Sequence, residues 1–343
     1  MGRTTFLLVL ALFAGTTRAE LQALDDHELS DVQGAGIGFV LDQVLLDANN
    51  ATITINDITN AAKQNVPISV KEFYLGAAGS NKGANLSPVT IGRLDHPFAL
   101  NLAKGEDMRT LRDDGQWVQT TPSNITVLEF MFPERLTGAA GQACISGFAA
   151  AGNNCSSRAS EKVDLGIRFD FQVAAGRTDI LNLDFAELAM DGSYLRLWGD
   201  SGRSQMVGEA RINIFTRSLQ IMSCAAGTTG CTTATEQRDR TIFLNNAYAN
   251  ISLGYGKTQP LLFDVSSNGQ FVLELPNPTA SGTTQAQKDA LAADFYANAP
   301  RTNIVINGLQ AGSGSAASGG YNFGYNAIQG LSINYLKVTS HDL

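Results

Sequence analysis

The chain has 343 residues, 44% of them hydrophobic and 16% charged, and a formal net charge of −8. Phosphate recognition needs clustered Lys and Arg, so this balance argues against nucleic acid as a partner, and none is expected. The length is enough for one large domain or two small ones with a sizeable core.

Met1-Gly2-Arg3 opens the chain with one positive charge, and Phe6 to Ala14 is an apolar core. That core is too short to cross a bilayer, which takes roughly 20 apolar residues. Thr17-Arg18-Ala19 then places small residues where a signal peptidase reads. Residues 1–19 are therefore predicted to be a Sec signal peptide cut after Ala19; a buried N-terminal helix is the competing reading. No later segment reaches transmembrane length, so the expected location is the periplasm, the cell surface or the exterior.

Residues 20–35 form a second segment, a leader or linker. Leu24, Glu28 and Val32 fall at four-residue steps with Leu29 beside them, so one helical stripe carries the apolar side chains. The stripe stops at Gly34-Ala35, where the pattern turns to extended sequence. This arrangement resembles the double-glycine leaders read by papain-like C39 peptidases. Counted back from Ala35, the hydrophobic positions are Val32, Leu29 and Leu24, and the Glu-Leu pair is Glu28-Leu29. Asp25 departs from the usual Ser, and Ala35 replaces the second Gly. A short helix-turn linking the signal peptide to the first strand is the bland alternative. The run Leu21 to Gly34, set behind a signal peptide and before a β-rich body, also resembles Fil-type pilus-system proteins of Gammaproteobacteria. Weaker echoes stand in Asp191 to Asp200 and Tyr335 to Thr339. The resemblance implies surface or filament assembly, and a processing peptidase of C39 type as partner.

From Gly36 onward the pattern is period-two alternation broken by turn residues. Ile53 and Ile55 alternate with threonines, and Val163 to Val173 is apolar at nearly every second position. Leu181, Leu183 and Phe185 follow, then Ile212 and Ile214, then Phe271, Leu273 and Leu275, and finally Leu331, Ile333 and Tyr335. One face of each strand is expected to be buried and the other wet. Thr284 to Tyr296 is the one helical stretch, rich in good helix formers and with Leu291 and Phe295 on one face. Gly308 to Gly320 reads as a loop. The fold class is therefore all-β: an antiparallel β-sandwich, jelly-roll-like, in one domain over 36–343 with a helical insertion at about 284–297. An outer-membrane barrel is the rival all-β reading.

Four cysteines fall in two close pairs, Cys144 with Cys155 and Cys224 with Cys231, each flanking a Gly/Ala/Ser/Thr-rich stretch. Four cysteines allow three connectivities, and closing each short loop on itself is the simplest. An oxidising compartment keeps such bridges; the spacing is not that of a zinc site.

Side chains grouped for chemistry are few. His27 lies in the leader, and neither His96 nor His341 has a His or Cys at ligand spacing. Asp184, Glu187 and Asp191 are the nearest grouped carboxylates, but their three- and four-residue steps scatter them over both faces of a strand. No cofactor is expected; structural calcium has only the weak loops Asp113-Asp114-Gly115 and Asp191-Gly192-Ser193. Trp198 reads either as a binding platform or as a strand-end core aromatic. Tyr321, Phe323 and Tyr325 form a stripe at strand spacing that reads as core; exposed, it is a contact surface.

The expected function is non-enzymatic: an exported structural or assembly protein of the bacterial surface, associated with a pilus or filament. Its partners are then copies of itself or other surface-assembly proteins. The strand-like run Gly36 to Leu46, which processing would leave at the N-terminus, either adds to a neighbour's sheet or pairs within its own domain. The alternative function is a secreted carbohydrate- or ligand-binding β-sandwich module.

Overall fold

Where the chain is described, the alternation becomes strand almost everywhere. A computed structural model describes residues 34–48, 53–56, 58–80, 83–92, 97–112, 116–133, 166–175, 178–224, 228–312 and 320–340. The signal peptide, the leader through Gln33 (Ala19, Leu24, Glu28, Leu29 and Val32 included), Cys144, Cys155, the three histidines and Asp113-Asp114-Gly115 lie outside the described residues. All that is described belongs to one unit, Gln33–Leu343.

The first strands are β1 (Gly34–Phe39), β2 (Leu41–Val44), β3 (Leu46–Asp47), β4 (Ile53–Ile55), β5 (Ile68–Ala77), β6 (Val89–Ile91) and β7 (Phe98–Lys104). A short pair follows, β8 (Arg109–Leu111) and β9 (Trp117–Gln119), then β10 (Thr126–Met131), β11 (Ile167–Ala175), β12 (Thr178–Ala189) and β13 (Tyr194–Asp200). The longest strand is β14 (Gln205–Met222); helix α1 (Ala234–Asp239) separates it from β15 (Thr241–Leu253). β16 (Leu261–Val265), β17 (Phe271–Leu275), helix α2 (Gln285–Asn298), β18 (Thr302–Ala311), β19 (Tyr321–Leu331) and β20 (Leu336–Thr339) complete the chain.

β14 is the spine. Along one edge its first half pairs with β13, from Asp200↔Gln205 to Tyr194↔Arg211, and its second half with β12, from Ala189↔Phe215 to Asn182↔Met222. Its other edge holds β15 over most of its length, with β16 beside Val207 and Gly208. Four arms extend from it: β13-β10-β7-β1, β12-β11-β5 with β3 and β4, β15-β18-β19, and β16-β17-β20. All pairings are antiparallel, and the fold is all-β and sandwich-like. The first two arms leave the same edge and meet through their apolar faces. Phe98, Phe130 and Phe132 from one pack with Ile167, Leu75 and Leu188 from the other and with Ile91. Phe98 sits 5.1 Å from Phe132 edge-on and 5.3 Å from Phe39, stacked.

Three details depart from the sequence reading. Leu331 to Tyr335 is not a strand: β19 ends at Leu331, and the link to β20 carries no ladder. The buried amide of Gln259 takes over its backbone, donating to the carbonyls of Ile333 and Asn334 at 3.0 Å each, and to Pro276 at 2.9 Å. The loop read over 308–320 begins later, since β18 runs on to Ala311. A second helix, α1, forms where the sequence pattern shows none. It starts on a capping box in which Thr233 accepts from Glu236 N–H and Glu236 reaches back to the Thr233 backbone. The expected helix forms as α2, capped the same way by Thr284 and Gln287. Its Phe295 packs edge-on against Tyr255 at 6.3 Å.

Candidate functional site

Trp198 does not face a partner: it is 6% exposed and packs with Met108, Val127 and Val207. The chain passes over its ring at Gly256, where an added Cβ would meet the indole at 2.7 Å. The stripe behaves oppositely, and the core reading does not hold for it. Tyr321, Phe323 and Tyr325 are 67%, 58% and 53% exposed. Among the described residues β19 pairs with β18 alone and is exposed along most of its length. Gly34 begins β1, opposite Leu102 of β7, and Ile37 to Phe39 continue that pairing. The run from Gly36 to Leu46 is thus paired within its own domain, through β1 with β7, β2 with β6 and β3 with β5. Cys224 and Cys231 are bonded to each other.

A buried polar ladder that no local sequence pattern announces crosses four strands. Asn101, Glu129, Arg196 and Glu209 are successive cross-strand partners on β7, β10, β13 and β14. Arg196 Nε donates to Glu129 at 2.8 Å, and one terminal nitrogen donates to Glu209 at 2.9 Å and to the hydroxyls of Thr110 and Thr120 at 3.1 Å. The other donates to the Arg109 carbonyl at 2.8 Å, and the guanidinium lies 3.9 Å from the centre of the Tyr194 ring. Burial works against the Arg196 charge, but Tyr194, Glu209 and Glu129 outweigh it and raise its pKa. Burial likewise pushes the Tyr194 hydroxyl up to about 12. Glu209 also accepts from Thr120 Oγ1 at 2.5 Å and from the Gly256 N–H at 3.1 Å. The ladder fastens the β8–β9 pair and the Gly256 turn onto the sheet. Every polar group on the guanidinium and on Glu209 is engaged within the protein, so the ladder is a structural lock.

A second charged group lies on the other arm. Asp170 and Asp184 face each other across β11 and β12, and Tyr74 of β5 is the next partner in the row. The polar face of this strand is not wet: Asp170 is 1% exposed. Arg168 makes the burial tolerable, donating to Asp170 at 2.9 Å and to Asp184 at 2.8 Å. Burial opposes the Arg168 charge, yet Asp184 and Asp170 together raise its pKa. Asp170 Oδ1 meets no donor, while its carboxyl is within hydrogen-bonding reach of Asp184. Two carboxylates bond only with a proton between them, and burial followed by the Asp184 charge pushes Asp170 up to about 6. Of the other grouped carboxylates, Glu187 sits at a bulge with φ 51° and pairs with Arg217 at 2.7 Å. Asp191 is buried in a turn whose carbonyl accepts from Asn213. The three are scattered and form no common site. Among the described residues, no group of three or more His, Cys, Asp or Glu is placed to hold a metal ion.

Asp184 also lines a cleft of about 630 Å³. The floor is a grid of three strands and two rows: Asn182, Met222 and Thr241 in one, Asp184, Gln220 and Phe243 in the next. The wall is α1, presenting Thr235, Gln237 and Arg238. The connection from β14 to β15 holds that wall over the sheet in two ways. The Cys224–Cys231 bond closes its first part, and Thr241 Oγ1 donates to the Gln237 carbonyl at 2.7 Å at the far end of α1. Arg238 lies over the Phe243 ring at 5.4 Å. The cleft offers amides and hydroxyls that both donate and accept, together with the paired carboxylate of Asp184 and the cation of Arg238: a set suited to binding a polar ligand.

The chain matches no protein-family model, no curated protein and no solved structure. No helix among the described residues is long and apolar enough to cross a membrane.

Proposed function

We propose that this is an exported structural protein of the bacterial surface, a pilus- or filament-associated subunit matured by a C39-type peptidase and assembling with copies of itself or other surface proteins. The observation that supports it is the open edge strand β19, whose Tyr321, Phe323 and Tyr325 stand in solvent. A long edge strand with apolar side chains is a template for pairing with another chain. The processing pair Gly34-Ala35 stands at the start of β1, itself an edge strand with Ile37 68% exposed. Cleavage there trims an edge and leaves the pairing from Ile37 to Phe39 in place.

The test is the N-terminus of the mature protein, measured by mass spectrometry on periplasmic and surface fractions, with electron microscopy of the surface fraction. A start at Gly36 with the protein in filaments is the expected result. A start at Glu20 in every fraction removes the leader, and monomers alone remove assembly. A second reading, a secreted carbohydrate- or ligand-binding module, is favoured by the cleft under α1.

A further inference from the structure

We infer that the cleft between α1 and the sheet is a saccharide-binding site, an inference that rests on the ligand-binding reading and not on assembly. The first support is unspent hydrogen-bonding capacity. No side-chain hydrogen bond joins Asn182, Gln220 or Thr235 to another described residue, although all three line the cleft. A side-chain amide brings two donors and an acceptor, and a hydroxyl brings one donor and two acceptor lone pairs. Sugar hydroxyls have the same dual character, so each ring hydroxyl finds a complement whichever way it points.

The second support is spacing. Asn182 and Asp184 are alternate residues of β12, and Gln220 is the direct neighbour of Asp184 on β14. Same-face groups on such a grid stand roughly 5–7 Å apart, along and across the strands. That interval matches hydroxyls on opposite sides of a pyranose ring, and about 630 Å³ falls in the usual range for small-ligand sites.

The third is the disposition of charge and rings. Asp184 is bonded to Arg168 at 2.8 Å, so it enters the cleft as a compensated acceptor. Arg238 lies over the Phe243 ring at 5.4 Å, so the lining ring is already partly engaged. The Asp170–Asp184 pair does not serve as a hydrolytic couple. Such a couple needs one carboxyl on each side of the scissile bond, whereas these two face each other and Asp170 is sealed from solvent. The site binds and does not cleave.

The experiment is isothermal titration calorimetry on the full disulfide-bonded protein. The probes are glucose, galactose, N-acetylglucosamine, cellobiose and galacturonate, with amino acids, nucleosides and dicarboxylates as the comparison set. Two variants accompany the wild type: Asn182→Ala with Gln220→Ala, and the exposed Thr235→Ala, which leaves the sheet intact. Binding of at least one saccharide, weakened roughly tenfold or more by the double variant and less by Thr235→Ala, is expected. Saccharide binding unchanged in both variants places the site elsewhere and overturns the inference. Binding confined to another ligand class and lost in the variants keeps the binding reading and removes the saccharide. No heat with any probe removes both.

Discussion

Asp170 and Asp184 sit opposite each other on neighbouring strands with one guanidinium between them, and Asp170 keeps its proton up to about pH 6. Its folded pKa lies above its unfolded value near 3.9, so the native state binds the extra proton. The stabilisation is present in full at the acid end of that window. It is lost as pH rises through about 6, for a total of up to about 3 kcal/mol. Asp170→Asn keeps an acceptor for Arg168 and gives Asp184 a permanent donor. Urea unfolding between pH 4 and pH 7 should therefore show a shallower fall in stability for the variant. An identical slope in both proteins would rule out the shared proton.

Removing one member of the ladder should cost more than any surface change. Glu209→Gln leaves Arg196 with one carboxylate in a site where both side chains are almost fully buried. Breaking a buried ion pair from one side costs about 3–5 kcal/mol. The urea midpoint should drop with the slope unchanged, and hydrogen exchange should speed up first in the β8–β9 pair that the ladder fastens. A loss below about 1 kcal/mol would mean that Glu129, the Arg109 carbonyl and the hydroxyls of Thr110 and Thr120 hold the guanidinium without Glu209.

The disulfide should matter twice. Cys224→Ser with Cys231→Ser opens a short loop, and chain-entropy reasoning gives a loss of about 2–3 kcal/mol. The same variant frees the connection that carries α1, so amide exchange in 234–239 should rise more than in β14. Equal protection of α1 in both proteins would show that its capping box and the Thr241 bond hold it without the bridge.

At the open edge, Tyr321→Lys with Phe323→Lys puts two charges on β19 at the cost of the stacking of these two exposed rings on each other. Stability should stay within about 0.5 kcal/mol of wild type, while sedimentation velocity should show loss of any self-assembly. Assembly that persists in this variant would move the interface away from β19.

What the sequence discloses here follows the reach of each interaction. The alternation of Phe169, Phe171 and Val173 and the capping of α2 at Thr284 are local, and both are legible. The capping box at Thr233 is equally local, but a six-residue helix has no apolar stripe to announce it. The ladder is legible in no window. Glu129 and Arg196 are 67 residues apart, and each is an ordinary polar position on an alternating strand. Period two tells which side chains share a face, but not that the polar face will be covered by another part of the chain. The same gap misassigned Asp170 to water, and at β19 it misassigned an apolar stripe to the core.

The spine strand has a consequence for the order of events as the chain emerges from its N-terminus. β5, β11 and β12 can pair among themselves, and so can β7, β10 and β13, but the strand that hydrogen-bonds to both arms is the stretch 205–222. Until that stretch arrives, two half-built sheets expose apolar faces that have no fixed mutual register. Such late, non-local closure is slow. A truncated chain that ends before β14 would therefore be a pair of adhesive fragments, and residues 205–222 decide whether the two arms before them become a fold.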